Sequence, residues 1–325
     1  MKRNIAIVCG GNSSEYEISV RSGKTVYDNL DTFKYNGFFI EIKGGNWVLK
    51  WTNNDEISIN KNDFSCEIDG ARITFDCVFI AIHGDPGEDG KLQGYFEMLN
   101  IPYTGSGILA SSLSFDKAAC KVFLSSTEVL LAPSITISNT AKIEEKEILD
   151  KVGLPCFVKP NKGGSSCGIS KVKEKEELIP AIDLAFKEDA TVMVEAFIDG
   201  RELTCGVFIN NNNIETLGVT EIIPKNEFFD YEAKYTEGMA EEITPADIPA
   251  AIESECKELS IMMYKTLGCN GIARFDFILS EGKLVYLEVN TVPGLSSASL
   301  IPKQADYAGY SLQELFTSTI QEALG

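Results

Sequence analysis

The chain has 325 residues and a formal net charge of −19 at pH 7, with 44% hydrophobic and 24% charged residues. That is the composition of a soluble globular protein of two or three domains, and its acidity argues against a nucleic-acid partner. No apolar run approaches the ~20 residues that cross a bilayer, and the run after Met1-Lys-Arg is too short for a secretory signal, so a cytoplasmic protein with no membrane partner is expected.

Nine scattered cysteines without Cys-x-x-Cys, and a single histidine, argue against a zinc site. Cys9, Cys77, Cys156 and Cys205 lie inside apolar runs and read as small core residues. An anionic substrate would have to be held by local positive groups against the overall field.

Asn4-Ile-Ala-Ile-Val-Cys9 predicts a buried strand, followed by the turn Gly10-Gly-Asn-Ser-Ser. Ser14-Glu-Tyr-Glu17 matches a capping box, which predicts a helix from about Glu15 to Leu30. Strand, glycine turn and helix make a ligand-binding corner, but the pattern is not Gly-x-Gly-x-x-Gly and nothing supports NAD. Glu15 reads locally as a favourable acid at a helix start; the alternative is a partner for a ligand ammonium.

Further strands are predicted at Phe38–Ile42, Trp47–Trp51 and Ile73–Ile82. His83 follows the last of these in the loop His83-Gly-Asp-Pro-Gly-Glu-Asp-Gly90, at a strand end where α/β proteins place ligands. A helix is expected over Lys91–Leu99, and Ile101-Pro-Tyr-Thr-Gly-Ser-Gly107 closes the first unit.

Phe115-Asp-Lys-Ala-Ala begins a second unit. Its strand Leu154-Pro-Cys-Phe-Val-Lys159 leads into Asn161-Lys-Gly-Gly-Ser-Ser-Cys-Gly168. This is not a Walker A loop, yet its backbone amides could approach phosphate oxygens closely, and Lys159 reads as a phosphate contact. A helix over Lys175–Lys187 and a strand over Thr191–Ile198 follow. In the third unit Asn210–Asn213 reads as a hairpin tip, and Phe228–Gly238 as a lid ordered by ligand. Ala246–Leu267 is the next predicted helix.

The most informative stretch comes next. Gly271-Ile-Ala-Arg-Phe-Asp-Phe-Ile-Leu and Leu284-Val-Tyr-Leu-Glu-Val-Asn flank Ser280–Lys283 as a β-hairpin. Arg274 and Asp276 share one face, and Glu288 and Asn290 share one. If the two faces coincide, oxygen ligands suited to Mg²⁺ converge. Coincidence requires Asp276 to stand opposite Glu288, which predicts an odd loop, Glu281-Gly282-Lys283. A two-residue turn without a bulge would separate the acids. The alternative reading is the polar outer face of an edge hairpin.

Taken together, these segments resemble the D-alanine–D-alanine ligase family of the ATP-grasp superfamily over essentially the whole chain. The resemblance is carried by Gly10-Gly-Asn-Ser-Ser-Glu-Tyr-Glu-Ile-Ser, His83-Gly-Asp-Pro-Gly-Glu-Asp-Gly, Pro102-Tyr-Thr-Gly-Ser-Gly, Asp116-Lys117, Val158-Lys-Pro, Gly164-Ser-Ser-Cys-Gly, Tyr231-Glu-Ala-Lys-Tyr, Ala273-Arg-Phe-Asp, Glu288-Val-Asn-Thr-Val-Pro-Gly and Ser299-Leu.

The resemblance implies an α/β (α+β) three-domain ATP-grasp architecture. A parallel α/β domain (1–105) would precede two α+β domains (106–194 and 195–325) that enclose ATP. It implies ligation of two D-alanines through an acyl phosphate, for peptidoglycan precursor synthesis. Asp276, Glu288 and Asn290 would hold two Mg²⁺ (or Mn²⁺) ions. Lys117 and Lys159 would contact phosphates, with Glu195 and Glu202 near adenine and ribose. Arg274 and the Gly294 amide would stabilise the tetrahedral centre.

By the same resemblance, Glu15 would take the first D-alanine's ammonium, linked to Ser165 and Tyr235, with His83 lining that subsite. Ser299, Leu300 and Lys234 would receive the second D-alanine. The intact Tyr231-Glu-Ala-Lys-Tyr lid favours an amine as second substrate. The alternatives are a ligase making D-alanyl-D-serine or D-alanyl-D-lactate, and a non-catalytic nucleotide-binding protein. Ala298, where a more polar residue is common, and Cys167, where valine is common, are the departures. A homodimer through the first domain is what the family suggests.

Overall fold

The computed structural model describes residues 2–51, 55–142, 144–164, 167–224 and 240–325. Three main sheets organise it. The first has the strand order Glu56–Ser58, Asn46–Lys50, Tyr35–Lys43, Arg3–Gly10, Cys77–Ile80. Arg3–Gly10 is parallel to both its neighbours, while the two strands beyond Tyr35–Lys43 are antiparallel. The predicted parallel sheet is therefore a parallel centre with an antiparallel edge.

Because the chain leaves Arg3–Gly10 for one neighbour and returns on the other side, the loops after Gly10 and Ile80 open into the same crevice. The expected single strand Ile73–Ile82 is interrupted. Ala71–Ile73 pairs instead with Cys66–Ile68. Across the break the backbone N–H of Asn4 donates to Asp76 Oδ2 at 2.7 Å and its side chain to the Thr74 carbonyl, so local polar bonds replace ladder bonds.

The second sheet is antiparallel, in the order Ser170–Val172, Cys156–Pro160, Thr191–Ala196, Ser134–Ser138. Val158, Val194 and Ile182 are among its buried core. The helix expected over Lys175–Lys187 starts as a 3₁₀ turn at Lys175–Glu177 and continues as Leu178–Ala185.

The third sheet runs Ala240–Ile243, Asn213–Pro224, Arg201–Asn210, Ala273–Ser280, Lys283–Asn290, Leu130–Leu131. Helix Ala250–Leu267 covers it, burying Met263 and Tyr264 against Phe275 and Phe277. Asn211 and Asn212 both have positive φ at the predicted hairpin tip, as a type I′ turn requires.

Helices Leu300–Tyr307 and Leu312–Leu324 close the chain back on its beginning. One buried cluster joins Ile5, Ile7 and Phe79 of the first sheet to Phe208 and Leu217 of the third, through Phe316 and Ile320. The Phe79 and Phe316 rings meet edge to face with centroids 5.6 Å apart. This shared core holds the crevice of the first sheet beside the charged face of the third.

Candidate active site

The acidic hairpin forms with its two faces coincident, but not by the expected loop. Asp276 stands opposite Glu288 and Arg274 opposite Asn290. The turn has two residues, Glu281 and Gly282, at φ 49° and 76°, a type I′ geometry that suits the strand twist. Lys283 is already paired with Ser280. The register is restored by a bulge between Asp276 and Phe277 that leaves Leu287 as the extra residue on the second strand. The odd residue needed is present, moved from the loop into the strand.

Asp276 is 2% exposed and its oxygens are engaged by neighbours. Oδ1 accepts from Thr204 Oγ1 at 2.6 Å and from Arg274 Nε at 2.9 Å, and Oδ2 from Arg274 Nη2 at 2.8 Å and Asn290 Nδ2 at 3.2 Å. Arg274 thus acts here as counter-ion to the acids. Burial opposes its charge, but Asp276, Glu288 and Glu202 outweigh burial and raise its pKa.

On the opposite wall Lys159 and Lys121 both bind Glu195. Lys159 Nζ donates to Oε2 at 2.6 Å, and Lys121 donates to Oε1 and, at 2.7 Å, to the Ala132 carbonyl. All three residues are buried. Burial would raise the Glu195 pKa, yet Lys159 and Lys121 hold it below the ordinary carboxylate range. Two ammoniums against one carboxylate leave this wall net positive, the local charge that the chain's overall acidity calls for. Lys117 begins the next helix, Lys117–Leu124, and donates to the Gly163 carbonyl at 2.7 Å. Asp116 caps that helix through the Ala119 N–H and accepts from Asn161 Nδ2, which ties Lys117 to the glycine-rich loop.

Lys117, Lys159, Glu288 and Asn290 line one cavity. It adjoins a larger one of about 360 Å³, walled by Phe157, Ile169, Phe197, Ile222 and Leu287 and including Glu202. Its apolar walls would suit a nucleobase, and the charged residues that also line it, among them Lys117, Lys159, Glu195 and Glu202, would suit the polar remainder of a nucleotide.

Glu15 is buried and sits just ahead of helix Tyr16–Asp28. The expected Ser14–Glu17 capping box does not form. Ser14 Oγ instead lies 3.3 Å from Cys167 Sγ, and Ser13 Oγ accepts the Glu15 N–H. A β-carbon added to Gly164 would fall 2.5 Å from Glu15 Oε2, so the first corner and the glycine-rich loop are in contact. His83 is 4% exposed. Its Nδ1 donates to the Val292 carbonyl at 2.8 Å, so the neutral ring accepts at Nε2 from Ser22 Oγ at 2.9 Å. Burial lowers its pKa, with the Glu15 charge pulling the other way.

Gly294 lies against Ser299: a β-carbon there would be 2.8 Å from Ser299 Oγ, which is 2.7 Å from Ser296 Oγ. Leu300 is buried at the first turn of its helix, where backbone N–H groups have no partner within the helix. Ser165, Lys234 and Tyr235, with the expected lid, lie outside the described residues.

The sequence reading did not single out Lys121, Thr204, Glu88 or Ser114. Lys121 is four residues from Lys117 on the same helix, a spacing that could have flagged it. Glu88 lies in the His83 loop, and burial followed by the Glu15 charge pushes its pKa up to about 8. The Ser114 hydroxyl is buried beside the cavity with no hydrogen-bond partner among the described residues.

A nucleotide-sized cleft between two sheets, with lysines on one wall and an acid-bearing hairpin on the other, is the ATP-grasp arrangement. Comparison with known proteins makes the assignment specific. The family model described as D-ala D-ala ligase N-terminus matches residues 4–106, and that described as D-ala D-ala ligase C-terminus matches residues 124–321. The chain belongs to the D-alanine–D-alanine ligase family.

Among its relatives, the D-alanine–D-alanine ligase of Flavobacterium johnsoniae is 48% identical over 99% of each chain. That of Bacteroides fragilis is 42% identical over 99% of each. Among solved structures, the VanG D-Ala:D-Ser ligase of Enterococcus faecalis superposes with a TM-score of 0.88 at 34% identity, over 99% of this chain and 100% of that one. D-alanyl-alanine synthetase A of Vibrio cholerae gives 0.89 at 28% identity, over 99% and 98%.

Proposed function

We infer that this protein is an ATP-dependent ligase that joins two D-alanine molecules into D-alanyl-D-alanine for peptidoglycan precursor synthesis. The observation that carries this reading is the single cavity lined by Lys117, Lys159, Glu288 and Asn290, in a chain whose relatives at 42–48% identity are named for that reaction. Its test is phosphate release from ATP that depends on D-alanine, with the product identified by mass.

In the first step a D-alanine carboxylate attacks the γ-phosphate and gives an acyl phosphate and ADP. In the second, the amine of the other D-alanine attacks the acyl carbon and expels phosphate. Positioning and electrostatics dominate such chemistry. Lys117 and Lys159 receive the phosphates; Glu195, expected near adenine, lines the larger cavity, but both its oxygens are held by Lys121 and Lys159, so it serves as the buried counter-ion that keeps Lys159 in place. Glu202, which lines the larger cavity, is assigned to the ribose. Glu15 takes the first D-alanine's ammonium, with Ser165 and Tyr235 linked to it and His83 beside it.

Ser299, Lys234 and the Leu300 N–H receive the second carboxylate. Two of Arg274's five donors are spent on Asp276, and the others, with the Gly294 N–H, are assigned to charge on the tetrahedral centre.

Asp276, Glu288 and Asn290 would hold Mg²⁺ or Mn²⁺: they share one hairpin face, their carboxylate and amide oxygens suit a hard cation, and a phosphate could complete the shell, with Asp276 exchanging bonds it now accepts from Thr204, Arg274 and Asn290. Two such ions would neutralise charge on the transferring phosphoryl group. Domain limits at 105 and 194, a homodimer through the first domain and a cytoplasmic setting complete the proposal. The nine unpaired thiols suit a reducing compartment.

A further inference from the structure

Val292 lies midway between Asn290, a proposed cation ligand, and Gly294, a proposed oxyanion donor. It is held from both ends by the first unit. Its N–H donates to Glu88 Oε1 at 3.2 Å, and its carbonyl accepts from His83 Nδ1 at 2.8 Å. Glu88 Oε2 in turn accepts the Gly84 N–H at 2.7 Å, so the two gripping side chains are fixed to one another's loop. On the far side of the ring, Ser22 Oγ donates to His83 Nε2 and accepts the Leu295 N–H at 3.2 Å. The circuit therefore closes: Val292, His83, Ser22 and Leu295 on one side, Val292, Glu88 and Gly84 on the other.

Every side chain in the circuit is buried, with Ser22 at 0%, His83 at 4% and Glu88 at 9%. Buried polar groups so fully engaged hold one geometry. What they hold is a junction. Glu15, which receives the first D-alanine, stands on the Gly10–Glu15 corner, and Ser22 lies two turns along the helix that follows it. Asn290 and Gly294 belong to the phosphoryl-transfer side. The clamp on Val292 is the hydrogen-bonded link between these two halves of the chemistry.

We propose that Glu88 and His83 are positioning residues that lock Val292, and thereby set the distance between the D-alanine subsite and the Asn290–Gly294 segment during transfer of the acyl group. This rests on the ligase reading above. A loosened segment misaligns the acyl phosphate with the incoming amine. Water then attacks the acyl carbon instead, releasing D-alanine and inorganic phosphate, so ATP is consumed without a new peptide bond. Exclusion of such a side reaction is a task of closed active sites.

The test is the ratio of phosphate released to D-alanyl-D-alanine formed, measured with ATP, Mg²⁺ and D-alanine. The wild-type ratio of one establishes the ligase reading separately; a wild-type protein that makes no dipeptide overturns that reading and not the clamp alone. Glu88→Gln and His83→Ala are expected to raise the ratio at least about threefold. The double variant should be no worse than the worse single one, because both act on Val292.

Ser22→Ala, which removes the two bonds to His83 and Leu295 at a residue assigned no contact with substrate, should raise the ratio in the same direction, and it carries the test should either of the others fail to fold. Ile320→Val, in the shared core and away from the clamp, should stay at one. Slower variants that keep a ratio of one, or an Ile320→Val enzyme that uncouples equally, would overturn the proposal.

Discussion

Asp276 stands directly opposite Glu288 across the hairpin only because Leu287 is bulged one residue away. The pairing places a fully buried carboxylate, already clasped by Arg274 and Thr204, beside a less buried one that lines the cavity shared with Lys117 and Lys159. Glu288 is thus the acid best placed to meet a cation arriving with ATP. Replacing Glu288 by Gln keeps the shape and removes the charge. Turnover should fall by about 10² or more, while nucleotide affinity changes only a few-fold. Steady-state rates alongside calorimetric ATP binding would check this; unchanged turnover would remove Glu288 from the metal site.

Gly164 has no room for a side chain on the Glu15 side, since a β-carbon would sit 2.5 Å from Oε2. Gly164→Ala must push the Glu15 carboxylate or the loop aside. With ATP saturating, the KM for D-alanine in the first subsite should rise by ~10-fold, equivalent to about 1.4 kcal/mol of lost binding. An unaltered D-alanine dependence would show that Glu15 does not take the ammonium.

The Lys121–Glu195–Lys159 triad makes an asymmetric prediction. Glu195→Gln leaves two buried ammoniums facing one another and should cost about 3 kcal/mol of folding stability or more. Lys121→Met leaves a neutral Lys159–Glu195 pair and substitutes a chain of similar length, so its cost should be near 1 kcal/mol. Denaturant titration of both variants separates them; equal losses would contradict the assigned charge balance.

Glu88 gives a pH signature. Its carboxyl is raised from 4.5 to about 8, first by burial and then by the neighbouring Glu15 charge. Below pH 4.5 the group is neutral in folded and unfolded chains alike. Between 4.5 and about 8 the unfolded chain loses this proton while the folded chain keeps it, so stability falls as pH rises; above that the penalty is constant. Relative to Glu88→Gln, the wild-type ligand-free protein should lose stability steadily from pH 5 to 8. Parallel stability curves for the two proteins would contradict this.

Much of the architecture was legible because it is written locally. Asn4–Cys9, Lys91–Leu99 and the Asn210–Asn213 tip follow from apolar runs, period and turn chemistry, and each lies where expected. The charged hairpin was legible as well, since alternation on two adjacent runs fixes which residues can share a face. The bulge was not, because a residue can be accommodated in a turn or in a strand, and Glu281 is not a residue type that announces a positive-φ turn position.

The Ser14–Glu17 box failed for a different reason. A long-range contact between Ser14 and Cys167 competes with the local cap. The Val292 clamp was invisible for the same reason: its bonds span more than 200 residues, and no local pattern announces a backbone carbonyl as the partner of a histidine.

The sharpest question is the second substrate, since one close structural neighbour is a D-Ala:D-Ser ligase at 34% identity and the sequence relatives are D-alanine–D-alanine ligases. The measurement is the mass spectrum of products formed from ATP and Mg²⁺ with equimolar D-alanine, D-serine and D-lactate at neutral pH. Predominant D-alanyl-D-alanine, with one ADP and one phosphate per dipeptide, is the predicted result. Predominant D-alanyl-D-serine or D-alanyl-D-lactate, or ATP turnover with no ligated product, would contradict it.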